Sequence, residues 1–265
     1  MRPSPSALFV VGAIAVAAGV GVAAKSAKGS EDSPSSALPA DAARLGFVVA
    51  SEANGVAIVD VTQPFRIELA NGPVHGVPAG ADRARVAKNL VARELARYPQ
   101  SFLRAIKMRG VVFTSELGEG ENAIPSLPNV GGLLLFDVDA TPRDLARGLH
   151  HEIFHFADLA DDGALAPDPA WSALTPGFSY GAGGRTLRST WAADPARDLT
   201  GFVTPYATSG VEEDKAETFA FAMARSEELR ARLPNDPVLA KKLDEIARRI
   251  RVIDPSTDPR RLFGR

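Results

Sequence analysis

Thr141–Asp158 reads TPRDLARGLHHEIFHFAD. Thr141 suits an N-cap, Pro142 suits the first helical turn, and Asp144 puts an acid near the positive end of the helix dipole. Leu145, Leu149 and Ile153 then recur every four residues, the spacing of one apolar helix face. The pattern predicts a helix from Pro142 to about Leu159. Its second half carries His151, Glu152 and His155 in the spacing H-E-x-x-H. Residues four apart stand one above the other on a helix, so both imidazoles can reach one metal ion. Glu152, next door, can reach a water on that metal. With four histidines in the whole chain, such spacing seldom arises by chance. His150 lies about 100° round the helix from His151, and is read as a neighbouring or exposed residue, not a ligand.

A catalytic zinc site takes three protein ligands and keeps a fourth position for water. The chain has no Cys, which excludes disulfides and thiolate ligands and leaves His or a carboxylate as the third ligand. The one histidine outside this stretch, His75, lies far upstream in NGPVHGVP. The residues after His155, FADLADD, lack the metzincin continuation. Downstream, VEEDKAETFAFAMAR at Val211–Arg225 reads as a helix and offers Glu212, Glu213, Asp214 and Glu217. Glu213 and Glu217 are one turn apart on one face. The natural assignment makes Glu213 the ligand and Glu217 the acceptor of a ligand histidine's second N–H. Glu217 itself and Asp214 are the alternative ligands.

Away from these helices the chain reads as follows. Acids and bases nearly balance, 32 against 30, and the net charge of −2 argues against nucleic acid as a partner. A 45% hydrophobic content supports one sizeable core. Arg2 precedes the uncharged run ALFVVGAIAVAAGVGVAA at Ala7–Ala24, which has the layout of a signal peptide and also reaches the lower length limit of a membrane span. Residues 1–24 are therefore expected to be a signal peptide or an N-terminal membrane anchor. Residues 25–42, rich in Ser, Pro and charge, are expected to be a flexible linker, and 43–265 one domain. The expected location is outside the cytoplasm, periplasmic or secreted, or held at the inner membrane through residues 7–24.

LGFVVA and GVAIVDV flank Asn54-Gly55 as a hairpin. FRIEL (Phe65–Leu69) and GVVFTSEL read as further strands. GGLLLFDVD at Gly131–Asp139 is apolar enough to be buried on both faces, and by analogy with other folds it could offer an edge for an extended substrate. Ala81–Tyr98 is expected to be a helix with Val86, Leu90, Val91 and Leu95 inward, and Pro237–Val252 the last helix, with ARRIRV as its solvated face. Residues 161–204 show no clear element.

Together, GLHHEIFHFAD and GFVTPYATSGVEEDKAETFA resemble bacterial zinc-binding metallopeptidases, H-E-x-x-H zincins of the gluzincin kind, and more distantly the anthrax lethal factor and Pro-Pro endopeptidase group. In that group a Tyr stands seven residues before the ligand Glu and a second acid four after it; Tyr206, Glu213 and Glu217 keep both spacings. The resemblance covers roughly residues 130–225. It implies a zincin-like α+β fold, with a mixed sheet packed on the H-E-x-x-H helix and on a second, Glu-bearing helix. It implies one Zn2+ on His151, His155 and Glu213, with Glu152 as general base, Tyr206 stabilising the transition state and Glu217 orienting a ligand histidine. Asp158 matches HExxHxxD, with a supporting hydrogen bond as its expected role. The implied reaction is hydrolysis of a peptide or protein substrate. The segment between His155 and Glu213 is longer than in compact members, so no cleavage preference carries over. Two other readings are a zinc-binding scaffold or regulatory domain, against which Glu152 argues, and a zinc amidase acting on cell-wall peptides.

Overall fold

The computed structural model describes residues 38–70, 72–139, 142–184 and 199–264, without the side chains of 142–144. The expected leader, most of the expected linker and the N-cap Thr141 lie outside the described residues. Among those described, no helix is long and apolar enough to cross a membrane.

The fold is α+β, a mixed sheet with helices against it. Strands β1 (Phe47–Ala53) and β2 (Val56–Val61) form the expected hairpin. Asn54 and Gly55 both have positive φ, 53° and 79°, the requirement of the two-residue turn that matches strand twist. The Asn54 side chain also donates to the carbonyls of Leu95 and Tyr98 at 2.8 Å each. It thereby ties the hairpin to the open C-terminal end of helix α1 (Ala81–Leu95).

Strand β3 (Phe65–Leu69) pairs with β4 (Gly72–Pro78), and β4 with the long central strand β5 (Gly110–Glu119). Sequence reading assigned no strand to β4, because its Gly and Pro content masks the alternation. On β5, β2 pairs parallel on one side and β8 (Leu133–Asp137) parallel on the other. The two-residue β6 (Asn122–Ala123) returns against the end of β5. Strand β7 (Ser126–Val130) pairs antiparallel with β8 and, among the described residues, forms the outer edge beside helix α3 (Pro142–Asp162). This corrects the reading of residues 131–139 as a substrate edge: β8 is flanked on both sides.

Side chains on β2, β5 and β8 alternate between two cores. Ile58, Val111, Phe113, Leu134 and Phe136 face the helices. Val59, Val112, Leu133 and Leu135 face the opposite layer with Phe47, Phe65 and Val74. Burial on both faces is why these runs are unbroken in apolar residues.

The helical layer holds α1, α2 (Gln100–Ala105), α3 (Pro142–Asp162), α4 (Pro169–Ser172), α5 (Val211–Ala224), α6 (Ser226–Arg232), α7 (Pro237–Ile253) and α8 (Pro259–Leu262). On α1 the inward face is Ala84, Ala87, Leu90, Val91 and Leu95, while Val86 is exposed, against the sequence reading. Helix α5 is buried all round, from Val211 to Met223, which explains why it shows so little amphipathic pattern. On α7, Arg249 is buried, unlike Arg248 and Arg251. Its guanidinium reaches Asp168 at 2.8 Å and Glu245 at 2.9 Å. The face read as solvated thus carries a buried cation.

Candidate metal centre

Two helices build the site. Helix α3 presents Arg147, His151 and His155 at four-residue spacing, and α5 presents Glu213 and Glu217 across from them. Passing along α3, the partner moves from Glu217 back to Glu213, so the two helices run in opposite directions.

His151, His155 and Glu213, all buried, bring three ligand atoms together. His151 Nε2 lies 3.0 Å from His155 Nε2 and 3.0 Å from Glu213 Oε2, and His155 Nε2 lies 3.6 Å from the same oxygen. Tetrahedral ligands about 2.05 Å from a zinc ion stand roughly 3.3 Å from one another, so the triangle has the size such an ion requires. Glu213 Oε2 is buried without a hydrogen bond of good geometry among the described residues. Two imidazole nitrogens and one carboxylate oxygen form a donor set suited to zinc.

The remaining acids have other partners. Glu217 Oε1 accepts from His151 Nδ1 at 3.0 Å and Oε2 from the Thr204 hydroxyl at 2.7 Å. The His151 N–H is thereby fixed on Nδ1, leaving the Nε2 lone pair for a metal. Asp214 points away, with Trp171 Nε1, Tyr180 Oη and Lys242 Nζ all on one oxygen at 2.8, 2.6 and 2.6 Å. Asp158 sits between charges: both its oxygens contact Lys215 Nζ, at 2.8 and 2.6 Å. His155 Nδ1 is buried without a hydrogen-bond partner among the described residues, so Asp158 makes no hydrogen bond to it.

Glu152 follows His151 and is buried. Its Oε1 accepts the Ser126 hydroxyl of β7 at 2.5 Å, while its Oε2 is buried with no hydrogen bond among the described residues. Tyr206 opens a short 3-10 turn, Tyr206–Thr208, just before α5. Its ring centroid is 6.0 Å from that of His151. Backbone crosses close by: Gly181 N–H donates to Thr208 O and Gly183 N–H to Ser209 O, at 3.1 and 2.7 Å. A Cβ on Gly184 would collide with the Tyr206 hydroxyl and Glu213 Oε1, so only glycine fits there.

The electrostatics favour positive charge at this spot. Burial opposes a charged His151, but Glu213 and Glu217 outweigh it and push its pKa up to about 10. Burial and the neighbouring carboxylates of Glu213, Glu152 and Glu217 raise Tyr206 far above the ordinary phenol value, so it stays a hydrogen-bond donor. Glu217 is held below the usual carboxylate range: burial works against this, and Arg147, His151 and Thr204 prevail.

His150, read as neighbouring or exposed, is fully buried. Its Nδ1 meets Tyr98 Oη at 2.5 Å and its Nε2 meets Glu94 Oε2 at 3.3 Å. Sequence reading missed Ser126, Arg147, Thr204 and Gly184. Arg147 alone left a signal, one helical turn before His151.

The sequence matches no protein-family model and no curated protein. Among solved structures it is similar to that of a Bacteroides caccae protein provisionally named a zinc-binding metallo-peptidase. The identity is 17% and the TM-score 0.46, over 71% of this chain and 77% of that one. A likeness that distant carries no chemistry; the side chains above carry it.

Proposed function

We propose that this protein is a zinc-dependent peptidase, with His151, His155 and Glu213 holding the metal. The observation that carries this reading is the three-atom triangle flanked by Glu152 and Tyr206. A metal site that served only structure would be closed by a fourth ligand and would have no use for an unligated buried carboxylate at its side.

Zinc in a three-ligand site supplies Lewis acidity and lowers the pKa of water towards neutrality. Glu152 accepts the proton of the attacking water on Oε2, while the Ser126 hydroxyl holds Oε1, and later delivers it to the leaving amine. The Tyr206 phenol, kept protonated, donates to the carbonyl oxygen as negative charge develops there. Strand β7 has a strand partner on one side only among the described residues, and Ser126 on it touches Glu152. An extended peptide laid along β7 would bring its backbone to the metal. Pro128 and the positive φ of Asn129 interrupt that edge further along, which confines pairing to its Ser126 end. The N-terminal run at Ala7–Ala24 supports a place outside the cytoplasm.

Elemental mass spectrometry of the purified protein, with hydrolysis of a random peptide library followed by mass spectrometry, tests the reading. The parent is expected to hold one zinc and cleave, Glu213→Ala to lose most of the metal, and Glu152→Ala to keep the metal and lose about 10²–10⁴-fold in rate. A metal-replete parent without zinc would overturn the centre, and full activity in Glu152→Ala would overturn the mechanism.

A further inference from the structure

We infer that Arg147 is a positioning residue of the metal centre, acting through Glu217 to hold His151 in ligating orientation. This rests on the reading of His151, His155 and Glu213 as metal ligands.

Arg147 lies one turn before His151 on the same face of α3, and its side chain is 2% exposed against 0% for Glu217. Its Nη1 is 3.7 Å from Glu217 Oε2. That oxygen also accepts the Thr204 hydroxyl, and the carboxylate's other oxygen accepts His151 Nδ1–H. A carboxylate removed from water needs a cation beside it, and Thr204 and His151 bring no fixed charge. Three carboxylates, Glu152, Glu213 and Glu217, converge on the site. A divalent ion offsets two of them, and the third is matched by the Arg147 guanidinium. The charge comes from the helix turn before His151, and a guanidinium has no lone pair to offer, so it steadies Glu217 without competing for the metal. A guanidinium does this where an ammonium would not do it equally well, being planar, weakly hydrated and always charged.

The test is zinc affinity of the metal-stripped protein, measured by competition with a chromogenic chelator, for the parent, Arg147→Met, Arg147→Lys, Glu217→Gln and the double variant Arg147→Met/Glu217→Gln. Arg147→Met is expected to weaken zinc binding on the order of 10–100-fold, the usual effect of losing an outer partner of a ligand histidine. Arg147→Lys is expected to recover most of that loss. In the Glu217→Gln background, Arg147→Met should cost less than about threefold, because its route to His151 is already cut. Parental affinity in Arg147→Met, or the same loss in both backgrounds, would overturn the proposal while leaving the metal centre intact. A parent that binds no zinc overturns both. Should Arg147→Met fail to fold, Arg147→Lys decides: any loss it causes must shrink in the Glu217→Gln background, and an equal loss in the two sinks the idea.

Discussion

The two oxygens of Glu152 have separate surroundings, and the division matters for what the residue can do. One is tied to Ser126 on the edge strand, and the other is buried with no hydrogen bond among the described residues. Tyr206 complements it: surrounded by carboxylates and buried, its phenol resists ionisation and stays a donor. Replacing Tyr206 by Phe removes one hydroxyl that meets Glu213 and the developing oxyanion. We expect Tyr206→Phe to keep its zinc and lower kcat about 10²–10³-fold, with KM little changed; steady-state kinetics on a cleaved library peptide would show it, and an unaltered kcat would remove Tyr206 from the mechanism. At this scale much was readable from the sequence. The H-E-x-x-H spacing, the Tyr206–Glu213–Glu217 spacing and the absence of Cys mark out the residues to which the proposed chemistry is assigned, and the fold brings His151, His155 and Glu213 together. Ser126 and Gly184 were not readable, since a lone serine in a strand and a glycine in a Gly-rich stretch are chemically mute until something is placed beside them.

At the scale of elements, α3 and α5 meet through alternating charge. Arg147 faces Glu217, the imidazoles face Glu213, and Asp158 faces Lys215, so a cation–anion pair lies on each side of the candidate ligands. Lys215 is fully buried, bound to Asp158, Asp168 and the Leu165 carbonyl. Burial pushes Asp158 up to about 6 even so, with Lys215 holding it from going higher. Such pairs gain little over an apolar contact, but losing one partner strands the other charge. Lys215→Met should therefore cost about 3–5 kcal/mol, measured by urea unfolding; a loss under about 1 kcal/mol would mean that Arg249 alone satisfies the two aspartates. Sequence reading placed α3 from its start signals at Thr141 and Pro142 and from the four-residue recurrence of Leu145, Leu149 and Ile153. It could place α5 only as a helix, since that element is buried on every side, and which of its four acids turns to α3 is a matter of packing.

For the whole molecule, the same helices are fastened to α1 by a second polar network. Arg97, which follows α1, bonds Glu94 at 2.8 Å and the Met223 carbonyl of α5 at 2.8 Å, and Glu94 meets His150 of α3. The His150 hydrogen bond, with Arg97 and against burial, lowers Glu94 from 4.5 to about 2. A carboxyl whose folded pKa lies below its unfolded one contributes stability that is fully present above the unfolded value and is lost as pH falls through the folded one. Glu94→Gln should thus be less stable than the parent at pH 7, by about 1–3 kcal/mol. The gap should narrow from about pH 4.5 downward and close near pH 2. Chemical denaturation at several pH values would check it; a gap independent of pH would assign the loss to packing alone.

What the sequence by itself determined is local: the hairpin at Asn54-Gly55, the helix that carries His151, Glu152 and His155, the two-faced burial of residues 133–137, and a pool of acids on the downstream helix that could supply a third ligand. These follow from spacings of a few residues, where periodicity and side-chain chemistry act directly. The tertiary structure decided what depends on contact between distant segments. It turned Glu213 to the imidazoles, Glu217 to His151 Nδ1 and Asp214 to Trp171, and it put β7 rather than β8 at the edge. It also buried Lys215, Arg249 and His150, which reads as the reverse of their ordinary preference. A charged side chain enters a core only when a partner meets it there, and the aspartates that meet Lys215 and Arg249 lie on distant segments of the chain.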